Sequence, residues 1–124
     1  MKVLALDYGS ARTGVAVSDP TGTIARPLTI VEKVSTPDGL RTLLAVIREE
    51  RPERVVVGLP LTLKGEHGAQ AAETAGFVDT LRGELDVPVE TFDERFTSVL
   101  AGGDDARAAA HLLEGYLRWR GERS

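Results

Sequence analysis

The sequence contains no cysteine, and this absence removes several kinds of chemistry at once. Disulfide bonds, thiolate metal sites and cysteine nucleophiles are all excluded, and the composition fits a reducing compartment. Any bound metal ion must therefore use oxygen or imidazole ligands. The chain has to rely on an ordinary hydrophobic core, and a chain of this length buries roughly two thirds of its unfolded surface. We expect one domain spanning residues 1–124.

A long apolar run at the start of the chain is also missing. The segment Met1–Leu6 is followed at once by Asp7, too early for the apolar stretch of a signal peptide or a membrane span. The sequence therefore predicts a cytoplasmic protein with no membrane partner.

The chain also lacks the excess of positive charge that is typical of proteins held to nucleic acid by nonspecific phosphate contacts. It has 15 basic and 19 acidic residues, which give a net charge of −4. This balance argues against a simple nucleic-acid coat protein. It is compatible with a nuclease, because active-site carboxylates raise the acidic count and bound cations reverse their charge locally.

Short apolar runs bounded by glycine or turn residues predict five strands. A hairpin at residues 8–13 joins the first two, and Pro27 indicates that the third lies at a sheet edge. The predicted strands are Val3–Asp7, Gly14–Ser18, Ile24–Val31, Val55–Gly58 and Val87–Phe92.

Helical spacing of apolar residues predicts three helices between and after the later strands. The first begins at Thr36-Pro37 and ends before Pro52, the second runs from about His67 to Leu85, and the last begins after Asp104. The order βββαβαβα predicts an α/β fold with a mixed five-stranded sheet in the order 3-2-1-4-5. The second strand is antiparallel to the others, and helices cover both faces.

Acidic residues follow the strands that should end at one edge of this sheet. Asp7 ends the first strand, Asp93 and Glu94 follow the fifth, and Asp105 opens the last helix. Each has an ordinary structural interpretation: a hairpin cap, a charged turn, or a carboxylate favoured by the helix dipole. Adjacent residues of a strand point to opposite sides, so only one of Asp93 and Glu94 should face the site.

Taken together, these carboxylates predict a catalytic metal site formed by Asp7, Glu94 and Asp105, with Asp93 as a candidate additional acid. Asp105 precedes three apolar residues at helical spacing, which turns its side chain towards the sheet. Hard cations such as Mg²⁺ and Mn²⁺ prefer carboxylate oxygen and water. Two such ions roughly 4 Å apart activate the attacking water and stabilise the leaving oxygen in phosphodiester hydrolysis.

Four sequence blocks, in this order, resemble the YqgF (RuvX) family. They are Asp7–Asp19; Val56–Leu61 with Gly65; Asp93–Ser98; and Asp105 with Ala109, Leu113, Glu114, Tyr116 and Leu117. The resemblance implies an RNase H-like fold and a metal-dependent nuclease acting on RNA or branched DNA. The family's role is described as maturing the 5′ end of 16S ribosomal RNA or as resolving Holliday junctions.

One departure from the family pattern concerns the connection before the last helix. Family members usually carry a longer segment there, including a helix and a basic loop, whereas here only Val99–Asp104 intervenes. We expect this shortening to weaken the binding of substrate.

Further residues near the expected active edge are candidate nucleic-acid contacts. Gly9 would allow a phosphate to come close, and basic side chains there could bind phosphates, although a solvated surface charge is the more common role of any one of them. These basic candidates are Arg12, Lys64, Arg95 and Arg26. His67 could assist proton transfer or bind a phosphate, although a histidine at the start of a helix is more often simply a surface residue. Trp119 could stack on a base, or pack against the sheet or a partner.

Two other functional classes share features with this sequence. A phosphotransferase of the actin and sugar-kinase type also uses an Asp-x-Gly turn, but it needs two such domains around its nucleotide. A non-catalytic RNase H-like module that binds RNA or a protein is favoured by the net charge and the short connection, and disfavoured by the retained acids. The sequence leaves open whether the chain forms a homodimer.

Overall fold

The computed structural model describes residues 1–59, 69–93 and 106–123. Within these ranges the elements follow the predicted order βββαβαβα. They are β1 Val3–Asp7, β2 Arg12–Ser18, β3 Ala25–Glu32, α1 Pro37–Glu50, β4 Arg54–Leu59, α2 Ala69–Glu84, β5 Val89–Asp93 and α3 Ala106–Arg123.

The strands form one mixed sheet in the order β3-β2-β1-β4-β5. β2 runs antiparallel to β1 and β3, whereas β1, β4 and β5 are parallel to one another. Short turns between consecutive strands make neighbours antiparallel, and crossovers through α1 and α2 make the remaining neighbours parallel. The predicted strand order and directions are confirmed, and β3, which contains Pro27, lies at an edge.

Helices cover both faces of the sheet, which explains why β1 is almost continuously apolar. Leu4 and Leu6 belong to a core shared with α1 and α2. Val3 and Ala5 point the other way, into a second core shared with α3. We refer to these two sides as the α1/α2 face and the α3 face.

The first helix has the predicted boundary residues. The Thr36 hydroxyl accepts a hydrogen bond from the backbone N–H of Gly39 at 3.2 Å, and Pro37 occupies the first helical position. At the other end Arg51 has a left-handed backbone with φ 51°, and its N–H donates to the carbonyl of Ile47. α1 therefore ends before Pro52 because of its own terminal residues.

The start of β5 differs from the prediction by two residues, since pairing begins at Val89 rather than Val87. Pro88 has no N–H to offer a neighbouring strand, and its carbonyl instead accepts from the N–H of Val55 at 2.9 Å. Val87 is apolar because it packs, partly buried, against the core on the α1/α2 face.

Other strand and helix boundaries also differ from the predicted ones. β2 begins at Arg12, and β3 is Ala25–Glu32 rather than Ile24–Val31. Ile24 is 66% exposed, and its N–H donates a hydrogen bond of 2.9 Å to the Asp19 carboxylate in the preceding turn. The last helix continues through the basic end of the chain to Arg123. In the ranges that the structure describes, no helix is both long and apolar enough to cross a membrane.

Candidate active site

Three parallel strands end at the same edge of the sheet. Asp7 is the last residue of β1, and β4 and β5 end at Leu59 and Asp93, which pair with each other. Neighbouring strands are about 4.8 Å apart, so residues at the ends of β1 and β5 lie on the order of 10 Å apart. This carboxyl edge is where ligands bind in open α/β sheets.

The direction of each side chain follows from the alternation along its strand. In β1, Val3 and Ala5 contact the core of the α3 face, so Asp7 lies on that face. In β5, Phe92 belongs to the same core, whereas Val89 belongs to the core of the α1/α2 face. Asp93 follows Phe92, and the alternation therefore places it on the α1/α2 face, away from Asp7.

Helix α3 runs across its face from the carboxyl edge towards the opposite edge. Near its C-terminus, Leu117, Arg120 and Gly121 line a cavity of about 240 Å³ together with Met1 and Gly22, at the edge where β1 begins. The N-terminus of α3 therefore points to the edge that contains Asp7. The stripe predicted to follow Asp105 is also buried, and it consists of Ala109, Leu112 and Tyr116.

Several predicted site residues lie outside the described ranges. They are Glu94, Asp105, Lys64, Arg95 and His67. In the part of the chain that the structure describes, no three His, Asp or Glu side chains form a group that could hold a metal ion. Of the three predicted ligands, only Asp7 lies in this described part of the chain.

The tight turn after Asp7 is enough to explain why residue 9 is glycine, and no bound phosphate is needed for that explanation. A Cβ atom on Gly9 would lie 2.4 Å from the carbonyl oxygen of Arg12, so any other residue there would force the hairpin backbone to shift. The buried Thr13 hydroxyl donates to the carbonyl of Gly9 at 3.3 Å. Arg12 is exposed and begins β2 at the carboxyl edge, where it is accessible to a phosphate.

Two further candidates are not at this edge. Arg26 pairs with Val17, which pairs with Leu4, so the expectation that Arg26 lies near the active edge is wrong. β3 runs back along β2, and its early residues therefore lie towards the opposite edge. Trp119 packs against Phe92, with ring centroids 5.6 Å apart, and keeps 38% of its surface exposed. The packing interpretation of Trp119 is therefore correct.

Asp19, the last residue of the first sequence block, stabilises the turn before β3 and does not belong to the candidate site. Its carboxylate accepts hydrogen bonds from the backbone N–H groups of Ile24 and Thr23, at 2.9 and 2.8 Å, and from the Thr21 hydroxyl. These bonds, above all the one from Ile24, hold the pKa of Asp19 well below its usual range.

No pattern in the sequence indicates a contact between Tyr8 and α2. The Tyr8 hydroxyl donates to Glu73 Oε1 at 2.7 Å, and its ring lies 4.5 Å from that of Phe77. Burial, together with this bond to a carboxylate and the carboxylate's charge, raises the pKa of Tyr8 to about 12. The partners are 65 residues apart in sequence, so local patterns could not have revealed the contact.

Comparison with known proteins decides the family. A sequence model of the RuvX family, described as Holliday junction resolvase, matches residues 1–104. The chain belongs to the RuvX family. A Chloroflexus aggregans relative named "Putative pre-16S rRNA nuclease" is 48% identical over 99 residues, which cover 80% of this chain and 70% of that protein. A Rubrobacter xylanophilus protein of the same name is 42% identical over 134 residues, covering 97% of this chain and 94% of that protein.

A solved structure of another protein has a fold similar to that of this RuvX chain. It is "T. thermophilus RuvC in complex with Holliday junction substrate", with a TM-score of 0.61, 20% identity, and coverage of 98% of this chain and 96% of that chain. The predicted RNase H-like fold is confirmed. The match to the RuvX sequence model includes Asp7 and Glu94 and ends one residue before Asp105.

Proposed function

We propose that this RuvX chain is a metal-dependent nuclease that hydrolyses phosphodiester bonds in the 5′-end processing of pre-16S rRNA. The observation that carries the proposal is the position of Asp7, on the α3 face at the carboxyl edge to which the N-terminus of α3 points. The curated relatives named as pre-16S rRNA nucleases support the choice of substrate.

The proposed ligands of the divalent ions are Asp7, Glu94 and Asp105. We choose Glu94 over Asp93 as the second acid because Asp93 lies on the α1/α2 face and Glu94 is the next residue along the chain. Asp105 directly precedes α3, whose N-terminal dipole favours an ionised carboxylate.

These residues fit a hard cation. All three are carboxylates, Asp7 is only partly buried, and the chain has no thiolate to favour a softer ion. When bound, Mg²⁺ or Mn²⁺ supplies an activated water and stabilises the charge on the leaving oxygen. The protein's own contribution is to hold the carboxylates on rigid strand and helix ends and to offer Arg12 to a substrate phosphate.

The decisive experiment compares cleavage of a pre-16S 5′ fragment with cleavage of a four-way DNA junction, each with Mg²⁺ and with Mn²⁺. We expect metal-dependent cleavage of the RNA. The substitution Asp7→Asn should abolish it and weaken Mn²⁺ binding in calorimetry by at least the roughly 10- to 100-fold that loss of an outer-shell partner costs. Asp38→Asn is the matched control, since Asp38 is an exposed carboxylate of α1.

Each alternative has its own outcome. Cleavage of the junction alone would support a resolvase acting on branched DNA, which the description of the RuvX family favours. Binding of RNA without cleavage under either metal would support a non-catalytic module. Equal Mn²⁺ binding by the Asp7→Asn and wild-type proteins would show that the proposed metal site is wrong. Light scattering on the same preparation shows whether the chain forms a homodimer.

A further inference from the structure

A cavity of about 270 Å³ opens beside Tyr8 on the α1/α2 face. We refer to it as the Tyr8 cavity, and it lies between the start of α1 and the middle of α2. Its lining includes Tyr8, Ser35, Leu40, Glu73, Phe77 and Thr80. It lies outside the metal site proposed above, which is on the α3 face.

The cavity is next to the proposed catalytic carboxylate, across the edge of the sheet. Tyr8 directly follows Asp7, so their Cα atoms are about 3.8 Å apart while their side chains point to opposite faces. Because Tyr8 lines the cavity, a nucleic-acid strand with a phosphate at Asp7 comes within one residue of the cavity lining. One residue of a bound nucleic acid could reach both places.

The walls suit a flat, partly apolar group. Tyr8 and Phe77 are buried and form a tilted ring pair with an interplanar angle of 33°, and Leu40 packs, partly buried, against the same core. Aromatic and aliphatic walls of this kind are typical of sites that bind unstacked bases.

The polar groups of the cavity favour a ligand that donates hydrogen bonds. Glu73 is exposed, and only its Oε1 atom receives the Tyr8 hydroxyl. A carboxylate has about four acceptor positions, so Glu73 can accept further hydrogen bonds besides the one from Tyr8. The Tyr8 phenol keeps its proton to donate to Glu73 and adds no negative charge to the cavity.

A phosphate is a poor occupant of this cavity. Among the described residues that line it, none is Lys or Arg, and the charged side chain present is the anionic Glu73. The like charges of a phosphate and a carboxylate repel each other, and the lining offers no cation to offset this.

We propose that the Tyr8 cavity binds one unpaired nucleobase of the substrate strand, and that it prefers guanine. This inference rests on the proposed nuclease function, because the phosphate next to the bound base would be the one that lies at Asp7. Guanine carries adjacent N1–H and N2–H donors, which match the two oxygens of the Glu73 carboxylate. The ring would lie against the Leu40 and Phe77 walls.

A binding experiment tests the base site without any requirement for activity. ¹⁵N-labelled protein is titrated with guanosine 5′-monophosphate, and separately with ribose 5-phosphate, which has the same sugar and phosphate but no base. We expect the nucleotide to shift the amide signals of Ser35, Glu73 and Thr80, and ribose 5-phosphate to leave them unchanged. Equal shifts with both compounds, or no shift of these three signals, would overturn the proposal.

Variants of α2 make the test specific. Glu73→Gln keeps the shape of an exposed side chain and removes its charge, so guanosine 5′-monophosphate should bind about tenfold more weakly, the scale of one hydrogen bond to a charged group. Glu84→Gln is the matched control, an exposed glutamate at the other end of the same helix, and should bind as the wild type does. Equal binding by both variants would contradict the assignment to Glu73.

A second measurement locates the base in the substrate. If the wild type cleaves RNA, removing single bases around the scissile phosphate should reduce kcat/KM about tenfold at one position, as expected for loss of one stacked base. No such position would contradict the inference and leave the nuclease function intact. If the wild type cleaves nothing, the nucleotide titration still decides whether the cavity binds a base, so the two failures are distinguishable.

Discussion

At the scale of single residues, the two tyrosines of the chain are both buried and both bonded to carboxylates. Tyr8 donates to Glu73 and Tyr116 donates to Glu90. Burial is the main cause that raises the pKa of each phenol, and the carboxylate partner raises it further. Arg120 donates to the Tyr116 oxygen and partly opposes the shift.

We predict that the native protein shows little phenolate absorbance at pH 10, and that Tyr8 ionises only near its pKa of about 12. The folded pKa of Tyr8 exceeds its ordinary value of 10.0, so the associated stability is complete below pH 10 and is lost as pH rises towards 12. A spectrophotometric pH titration checks this, with the protein in denaturant as reference. Coincident native and denatured curves would contradict the prediction.

The turn after Asp7 gives a second prediction at this scale. Gly9→Ala should destabilise the protein by about 1–3 kcal/mol, because the new Cβ meets the backbone oxygen of Arg12 and the tight turn has to shift. Gly76→Ala is the matched control: its Cβ meets nothing within 4 Å, and alanine in a helix should stabilise by about 0.4–1 kcal/mol. Urea unfolding of both variants gives the two values. A neutral Gly9→Ala would show that the hairpin adapts easily.

At the scale of elements, the cap of α1 can be tested on its own. Thr36→Ala removes the hydroxyl that accepts from the Gly39 N–H, and should lower the free energy of unfolding by about 1 kcal/mol. Thr42→Ala in the interior of the same helix removes a hydroxyl that bonds only to the carbonyl of Asp38, and should change stability by less than about 0.5 kcal/mol. Similar losses for both would contradict a specific capping role.

The elements also show how far the sequence could predict this fold. Strand order followed from the sequence because connection length decides between antiparallel and parallel neighbours, and Thr36-Pro37 marked the start of α1. The start of β5 was misplaced because Val87 is apolar for packing, not for pairing. A hydrophobic pattern reports burial, and it cannot tell a residue of the ladder from one that packs beside it.

The candidate site was predictable to a similar extent. Asp7 could be located from the sequence because it ends an apolar strand. The face of Asp93 could not, since it depends on which neighbour of Asp93 contacts α3, and only the packing of Phe92 shows this. The contact between Tyr8 and Glu73 joins a hairpin to a helix, and no spacing rule within one element predicts such a pair.

At the scale of the whole molecule, the two proposed sites lie on opposite faces of the sheet. The α3 face holds Asp7, whereas the α1/α2 face holds the Tyr8 cavity, and the carboxyl edge is common to both. A net charge of −4 means that overall electrostatics contribute little to holding a polyanion, so local contacts have to do so.

The connection before α3 is where local contacts should be weakest. The alignment with the R. xylanophilus relative covers 134 positions, more than the 124 residues of this chain, so that relative contains residues that this chain lacks. We predict that grafting a longer basic loop between Leu100 and Asp104 lowers KM strongly and leaves kcat nearly unchanged. Loops and basic side chains determine how tightly the nucleic acid is held, whereas the metal ligands determine the stabilisation of the transition state.

Steady-state kinetics on one RNA substrate measure this effect, with a Gly/Ser loop of equal length as the control. Each phosphate contacted by the basic graft should also steepen the slope of log affinity against log salt by about 0.7, because single-stranded RNA releases bound counterions. The neutral graft should change neither KM nor that slope. A rise in kcat with KM unchanged would mean that the short connection displaces a catalytic carboxylate, since a misplacement of about 1 Å can cost roughly a hundredfold in rate.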